Sequence, residues 1–414
     1  MDILPLAKLN IFKEFDNDGI RKNIVYIMNN GFVVGRNLYY PNCLIYDQHA
    51  LYNPYEEKIM SLNKFCFYDD NIYNIDTHEI DKKNYEYEYE YEHVYFYIYN
   101  FDNYYHFIYD TLPYLINFIE LKKEICELKL LINFPNKENK FYKFNTDIFN
   151  IFGIDYIICK NNFKYKYMYI SNSLTHGNYS NNPPHIKVYE LFRSIINNNH
   201  LSINKRYEKI YISRRTHINT YNDNIGTNYT TRRKMMNEDN IVKLLKDKGY
   251  IEIFTETLSF IDKINIFSNA THIIGAIGGG MCNLLFSPKT TKSLCIVSPN
   301  FLDINFRFKY SMDHTNITYF NDCYHNNYHK ISLYTRVLII DKNSKHYKKI
   351  GEIMNFSQDR YIINISNNDI AGFNNNLHCI TDCFLYEQLS ILDNGLNSPY
   401  YVDEEKFTQF LNNF

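Results

Sequence analysis

The chain has 414 residues, more than one hydrophobic core usually organises, so at least two domains are expected. Apolar residues make up 45% and charged residues 22% of it, a composition that excludes a disordered chain. The net charge of −2 excludes a global field that would draw the protein to nucleic acid or to an anionic membrane. Any basic site must therefore be local, and we predict no nucleic-acid partner.

Nine cysteines, an odd number without paired spacing, indicate a reducing compartment. The segment HCITDC (His378, Cys379 and Cys383) lacks a second pair of ligands at zinc-finger spacing, so we predict no metal site. The first residues do not have the pattern of a signal peptide, and no segment has the apolar length of a membrane span. The sequence thus predicts a cytoplasmic protein without a transmembrane segment.

Residues 1–200 are predicted to form an α/β domain. Mixed runs before residue 80 and the segment 84–101 favour strands. A helix follows, with Asp102 as its N-cap and, at Pro113, either a break or a new first turn. Strands over 128–134 and 155–160 then alternate with helices over 145–152 and 185–199, the last with Ile186 on its apolar side. Alternation of strands and helices is typical of α/β architecture.

Residues 201–325 alternate more clearly. Strands are predicted over 207–215, 250–255 and 271–276, with helices over 237–249 and 257–270 and another beginning at Met281. Asn237 is the predicted N-cap of the first helix, and Gly249 is placed to end it. This order predicts a parallel, right-handed, Rossmann-like sheet. Residues 326–414 remain as a small β-rich extension, which we expect to pack back on the N-terminal domain.

Three consecutive glycines, Gly278 to Gly280, follow the third of these strands. Ligands of open α/β sheets bind beyond the carboxyl ends of the strands, and glycine N–H groups with a helix N-terminus suit a diphosphate. The spacing is neither GxGxxG nor a Walker loop, which disfavours a nucleotide-dependent oxidoreductase. A close-packed turn between strand and helix is the alternative interpretation of the glycines.

Two basic clusters are predicted at loop ends of the same sheet: Arg214 with Arg215, and Arg232 with Arg233 and Lys234. Guanidinium forks bind phosphate oxygens in pairs, so both clusters and the glycines could converge on one diphosphate. For each run taken alone, an ordinary solvated face is the alternative. Glu238 either orients an arginine or favours the helix N-terminus.

His106 and Asp110 lie four residues apart on the helix predicted after residue 102, so they face the same way. A carboxylate beside an imidazole fixes its tautomer, and either group could act as a general base for an acceptor hydroxyl. A helix-capping or interdomain hydrogen bond is the alternative.

Five motifs follow in order between residues 103 and 288: NYYHFIYDTLPYL, YISRR, RRKMMNED, LSFIDKINIF and GAIGGGMCNLLFSP. Together they resemble glycosyltransferase family 61, whose members share motifs such as Y-x-H-F-x-x-D-x-L-P-R-L, R-R-x-x-N-E and G-x-H-G-A-G-L-x-N. The resemblance covers less than half of the chain, and five motifs in family order are far more specific than one.

The resemblance implies a GT-B architecture, with two Rossmann-like domains facing a cleft. It also implies inverting transfer of a sugar from a nucleotide donor, UDP in our prediction, to a hydroxyl of a glycan or protein, with no obligatory metal or cofactor. By motif, His106 and Asp110 would face the acceptor, with Asp110 as the base. The nucleotide-sugar donor would be bound by Arg214, Arg215, Arg233, Lys234, Glu238, Gly278, Gly279, Gly280 and Asn283.

Three positions depart from the family pattern. Ile277 stands in place of the histidine before the glycines, Tyr114 in place of the arginine of L-P-R-L, and Ile296 in place of an acidic residue on the next strand. The alternative function is therefore a catalytically weakened homologue that acts as a glycan- or protein-binding module.

Overall fold

The computed structural model describes residues 10–34, 37–40, 43–45, 66–69, 72–74, 86–87, 90–97, 102–134, 140–159, 163–175, 182–198, 207–216, 218, 222–228, 230, 232–299, 301–304, 306–325, 335–357, 360–365, 380–385, 388–391 and 398–414. The chain divides into two compact units, residues 1–200 and 201–414. His378 and Cys379 lie outside the described residues, whereas Cys383 is exposed.

Unit 1 is built on one large mixed sheet. Its described strands are β1 (Asn10–Asn17), β2 (Lys22–Val34), β3 (Asn37–Tyr40), β4 (Cys43–Ile45), β5 (Cys66–Asp69), β6 (Ile72–Asn74), β7 (Glu86–Tyr87), β8 (His93–Tyr97), β9 (Lys129–Ile132), β10 (Tyr156–Ile158) and β11 (Phe163–Ser171). The strands β10, β9, β8 and β11 are parallel neighbours in that order, and β2 joins β11 in the antiparallel sense. The strands predicted over 128–134 and 155–160 are thereby confirmed.

The described helices of unit 1 alternate with its later strands. Their bounds are Tyr104–His106, Tyr114–Glu124, Lys143–Phe152 and Ile186–Asn198, with a π-helix over Phe107–Thr111. The predicted N-cap Asp102 is wrong, because the side chain of Asn103 accepts the N–H groups of Tyr105 and His106 instead. The predicted apolar position of Ile186 is also wrong: this first helical residue is 50% exposed, and Val188, Leu191, Phe192 and Ile195 are buried in its place.

Unit 2 contains a five-stranded, fully parallel sheet. Its strands are β12 (Lys209–Ile212), β13 (Ile251–Ile253), β14 (His272–Ala276), β15 (Lys292–Ile296) and β16 (Asn316–Phe320), in the spatial order β13-β12-β14-β15-β16. The predicted parallel sheet is confirmed. Numbered within the unit, the order is 2-1-3-4-5, so the direction of winding reverses between β12 and β14. In such sheets ligands bind at this switch point, beyond the carboxyl ends of the two strands.

The helices of unit 2 cover this sheet. Their bounds are Glu238–Asp247, Phe260–Asn269, Phe301–Ile304, Phe306–Tyr310 and Glu404–Asn413, with 3₁₀ helices over Thr255–Thr257 and Gly279–Phe286. The helix predicted from Met281 is thus a 3₁₀ helix, closed by i to i+3 bonds such as Met281 N–H to the Gly278 carbonyl at 3.0 Å. Gly249, at φ +83°, follows the Glu238–Asp247 helix as predicted. Asn237 makes no side-chain capping bond, because its amide contacts a later segment.

The later part of the chain contributes a second five-stranded sheet and a separate two-stranded sheet. An antiparallel sheet in the order β21-β20-β19-β18-β22 contains β18 (Arg336–Ile339), β19 (Ile350–Ser357), β20 (Arg360–Ile365), β21 (Ile380–Phe384) and β22 (Leu389–Ile391), and β17 (Cys323–Tyr324) pairs with β23 (Tyr401–Val402). Six of the described strands, β18 to β23, lie within residues 326–414. Tyr400, Val402, Phe407 and Leu411 share a core with residues of the parallel sheet, so the last helix packs on that sheet.

The α/β class is confirmed, whereas the GT-B arrangement and the domain boundary at residue 325 stay predictions. In the part of the chain that the structure describes, no helix has the length and apolar character needed to cross a bilayer.

Candidate active site

In unit 1, His106 and Asp110 form a hydrogen-bonded pair at the start of the helix that follows β8. His106 Nδ1 lies 2.8 Å from Asp110 Oδ2, and the Thr175 hydroxyl donates to Asp110 Oδ1 over 3.3 Å. The Asp110 side chain is fully buried, whereas 26% of the His106 side chain is exposed. A carboxylate in this position orients the ring, and the imidazole is the member of the pair that meets solvent.

The backbone that carries this pair is a π-helix rather than a continuous α-helix. The Leu112 N–H donates to the Phe107 carbonyl over 2.8 Å, the i to i+5 bond of a π turn. The next residue is Pro113, which has no N–H with which to continue the α-helical pattern. Single π turns recur at functional sites because they change the direction of a side chain without ending the helix.

In unit 2, Arg214 is a buried cation at the carboxyl end of β12. Only 8% of the residue is exposed, and its guanidinium donates to the carbonyls of Ile277 (3.4 Å), Thr230 (3.4 Å) and Arg232. Burial lowers the pKa of Arg214, and the negative charges of nearby Glu238 and Glu256 oppose that effect. A desolvated guanidinium held by carbonyl groups is a strong site for an anion.

Glu238 fixes the backbone from which Arg214 projects. Its buried Oε1 accepts the Tyr211 hydroxyl at 2.9 Å, the Ser213 hydroxyl at 3.0 Å and the Arg214 N–H at 2.9 Å. Burial raises the pKa of Glu238, and these three hydrogen bonds act in the opposite direction. Glu238 is also the first residue of its helix, and it contacts Arg214 through the backbone N–H of that residue.

Arg215, the next residue, has a different environment. Its Nε and Nη2 donate to the Glu252 carboxylate over 2.9 and 2.7 Å, and Nη1 donates to Asp239 over 2.6 Å. The hydrogen bonds that Arg215 donates to Glu252, and then the one to Asp239, raise the pKa of Arg215. Two carboxylates therefore neutralise its charge, and the structure does not bring Arg215 to the glycines as it does Arg214.

The second basic cluster supplies Arg233. This residue has a left-handed backbone, with φ +53°, and its guanidinium carbon lies 4.4 Å from the centre of the Phe301 ring. The Lys234 main-chain carbonyl accepts the Tyr400 N–H over 2.9 Å. Of this cluster, Arg233 is the residue whose side chain the structure brings towards the glycines.

Side chains from other segments pack closely against each of the three glycines. A Cβ atom at Gly278 would lie 2.0 Å from Nη1 of Arg214 and 3.9 Å from Nη2 of Arg233. At Gly279 it would lie 2.8 Å from the Asn228 amide nitrogen, and at Gly280 3.0 Å from a methyl group of Ile212. The turn is thus close-packed, with two guanidinium groups beside Gly278 at the switch point, and diphosphate binding by the glycines stays a prediction.

The sequence model of the family Glycosyltransferase 61 matches residues 104–294, from the start of the His106 helix to β15. Residues 104–294 form a glycosyltransferase family 61 domain. A search of curated proteins gave no match. Members of this family transfer sugars, and the matched stretch contains the His106–Asp110 pair, Arg214, Arg233 and the three glycines.

The remaining predicted residues of the family 61 domain are buried. The Asn283 side chain donates to the Gly280 carbonyl over 2.8 Å and so closes the first turn of the 3₁₀ helix. Ile277 is fully buried; its carbonyl accepts from Arg214, and its N–H donates to the Ile296 carbonyl over 2.9 Å. Two departures from the family pattern are thus joined by one backbone hydrogen bond. Tyr114 is buried too, and its carbonyl accepts the Tyr95 hydroxyl.

Sequence reasoning missed Asn228, Phe301 and Tyr400, whose contacts shape the site. They lie in segments without motif spacing, and both Phe301 and Tyr400 lie outside the matched family 61 stretch, so no local pattern could have identified them. Among the described residues, no group of three or more His, Cys, Asp or Glu side chains is placed to hold a metal ion.

Proposed function

We propose that this protein is an inverting glycosyltransferase that moves a sugar from a UDP donor to a hydroxyl of a glycan or protein, without an obligatory metal. The observation that carries the proposal is the convergence of the Arg214 and Arg233 guanidinium groups on Gly278, at the switch point of the parallel sheet. The family 61 match supports sugar transfer, and this convergence supports a nucleotide diphosphate as the leaving group.

The two arginines would neutralise the charge that develops on UDP as its bond to the sugar breaks. Guanidinium groups present paired donors that fit phosphate oxygens, and a buried guanidinium acts at low local dielectric. Arg214 is already fixed by three carbonyls and by the bond of its N–H to Glu238, so little reorganisation is needed when charge develops. In this proposal the cations of the protein take the place of a metal ion.

The base that we propose is His106, with Asp110 as the residue that orients it. Both Asp110 oxygens accept hydrogen bonds and its side chain is fully buried, so an acceptor hydroxyl can approach His106 more readily. The imidazole would take the hydroxyl proton as the acceptor oxygen attacks the anomeric carbon opposite the departing UDP. Asp110 would stabilise the imidazolium that forms. This assignment revises the role of base that the family pattern gives to Asp110.

Nucleotide binding provides the first test. At a UDP concentration of 100 Kd, binding adds about 2.7 kcal/mol to the stability of the folded state. For a domain of this size that corresponds to a rise in melting temperature of about 5–10 °C. We expect this rise in the wild type and in Arg215→Ala, and its loss in Arg214→Lys and Arg233→Ala, all measured by differential scanning calorimetry. A wild type whose melting temperature responds to no nucleotide would contradict the donor site.

The second candidate function is a glycan- or protein-binding module that keeps the fold without the transfer reaction. Ile277 favours it, because a buried aliphatic side chain occupies the position of the family histidine and offers no polar group to a donor. Such a module would retain glycans on an array without releasing UDP from a UDP-sugar. Release of UDP in the presence of any acceptor would exclude it.

A further inference from the structure

The loop that carries Arg233 is paired with the end of the chain. The Tyr400 N–H donates to the Lys234 carbonyl over 2.9 Å, and the Met236 N–H donates to the Tyr400 carbonyl over 2.8 Å. These bonds form a parallel bridge between Met235 and Tyr400. Tyr400 lies more than 100 residues beyond the end of the family 61 match at residue 294, so this contact joins the matched stretch to a residue outside it.

The Asn237 side chain joins the same two segments, two residues beyond Met235. Asn237 Oδ1 accepts the Val402 N–H over 3.0 Å, and Asn237 Nδ2 donates to the Val402 carbonyl over 2.9 Å and to Glu404 over 2.8 Å. The strand β23, which lies in the same segment, pairs with β17, and Tyr400 is fully buried. We name residues 400–404 the C-terminal clasp. Because the clasp belongs to the core of unit 2, it is a rigid support for the loop.

The clasp holds one of the two residues that adjoin Arg233 in the chain. A non-glycine residue at φ +53° is in an unfavourable left-handed conformation and keeps it only where the surroundings enforce it. The carbonyl before Arg233, that of Arg232, accepts the Arg214 guanidinium, and the carbonyl after it, that of Lys234, accepts the Tyr400 N–H. The left-handed residue is thus held between a donor-site arginine and the clasp.

We propose that the C-terminal clasp is a positioning element of the donor site, which holds Arg233 in the left-handed conformation that brings its guanidinium to Arg214 and Gly278. The identity of the ligand, UDP, rests on the proposed function. The statement that the clasp holds the loop does not depend on it. A loop released from the clasp populates other conformations, and the apparent Kd of UDP rises by the inverse of the competent fraction. Donor affinity therefore depends on residues outside the family 61 domain.

Two variants of the full chain distinguish the loss of the bonds between Asn237 and the clasp from the loss of a single contact to Glu404. Asn237→Ala removes the bonds to both Val402 and Glu404, whereas the matched control Asn240→Ala removes only the bond to Glu404, which Asn240 makes over 2.8 Å. Without any ligand, we expect trypsin to cleave after Arg232, Arg233 or Lys234 about tenfold faster in Asn237→Ala than in the wild type or Asn240→Ala, since cleavage follows the open population. Equal cleavage of the two variants would overturn the proposal.

A double-mutant cycle then tests whether the clasp acts through Arg233. By isothermal titration calorimetry, Asn237→Ala should raise the Kd of UDP about tenfold, and it should raise it no further in an Arg233→Ala background. An equal increase in both backgrounds would show a general structural effect and would overturn the positioning role. If the wild type binds no UDP, the proposed function fails, and the trypsin comparison alone decides whether the clasp holds the loop.

Discussion

The two candidate sites are assembled in opposite ways. His106 and Asp110 are neighbours on one helical turn, and a 2.8 Å hydrogen bond joins them directly. Arg214, Arg233 and Gly278 come from three loops, and they meet because the parallel sheet places β12 and β14 side by side. The first site depends on local backbone geometry, whereas the second depends on the order of the strands.

This difference determines what each site can tolerate. The pair in unit 1 is formed within one helical turn, and Thr175 adds one hydrogen bond to it, so a change to one side chain of the pair should alter its chemistry directly. The arginine site has no local support, because Arg214 is held by carbonyls of residues 230, 232 and 277. A small change in any of these loops moves its charge, so binding should respond to changes in several segments.

The largest expected effect separates catalysis from donor binding. Loss of a general base costs about 10²–10⁴ in rate, so His106→Ala should lower kcat for sugar transfer by that factor. The Kd of UDP should stay unchanged, because the proposal assigns His106 to the acceptor and the two arginines to the donor. Initial rates of UDP release and titration calorimetry measure the two quantities. A kcat within twofold of the wild type, or an equal loss of UDP affinity, would break the separation.

Gly278→Ala tests the arginine site by adding the volume of one methyl group without changing any charge. Its Cβ would lie 2.0 Å from Nη1 of Arg214, so the guanidinium must move away from its carbonyl partners. Loss of its charge-assisted bonds to the diphosphate, worth about 1.5–3 kcal/mol, should raise the Kd of UDP about 10- to 100-fold.

Gly279→Ala is the matched control for that substitution. Its Cβ would meet the amide end of Asn228 at 2.8 Å, and a flexible side chain that carries no charge can move aside. We expect a change in the Kd of UDP of less than about threefold, which corresponds to less than one hydrogen bond. If both variants weaken UDP binding equally, the glycines bind the ligand through their backbone and Arg214 is not the deciding group.

Much of this architecture follows from the sequence. Strand endings, helix periodicity and the alternation of elements were sufficient to predict the parallel sheet of unit 2 and to place arginines and glycines at its carboxyl end. The i, i+4 spacing of His106 and Asp110 also predicted their contact, because helical geometry depends only on residues that are close in the sequence.

Other features depend on contacts between distant segments, which spacing does not contain. Arg214 and Arg215 are adjacent and chemically identical, yet one faces carbonyls and the other faces Glu252 and Asp239. Ile186 satisfies the helical pattern but is the exposed first residue of its helix. The clasp pairs residues 234–237 with 400–404 and has no signal in either segment alone.

The smallest effect that we expect is a pH dependence of stability at the arginine site. Burial raises the pKa of Glu238 above its ordinary value of 4.5. Below pH 4.5 the carboxyl is protonated in both the folded and the unfolded chain. As the pH rises past 4.5, the unfolded chain releases this proton first, so the folded state loses stability until the pH exceeds the folded pKa. Gln at this position stays neutral and keeps an acceptor oxygen. The melting temperature of Glu238→Gln relative to the wild type should therefore rise between pH 4 and pH 7, by no more than about 4 °C.

Glu252→Gln should show the opposite trend, which makes it the matched control. Burial raises the pKa of Glu252, but hydrogen bonds from Arg215, Ser213 and Lys246 outweigh burial and hold it below its ordinary value of 4.5. The ionised carboxylate therefore stabilises the folded state above pH 4.5, and this contribution is lost as the pH falls through the folded pKa. Glu252→Gln should thus lose melting temperature relative to the wild type as the pH rises from 3 to 6. Parallel trends for the two variants in calorimetric scans would mean that the hydrogen bonds to Glu238 outweigh its burial, and that Glu238 supports Arg214 as a carboxylate with no cost of ionisation.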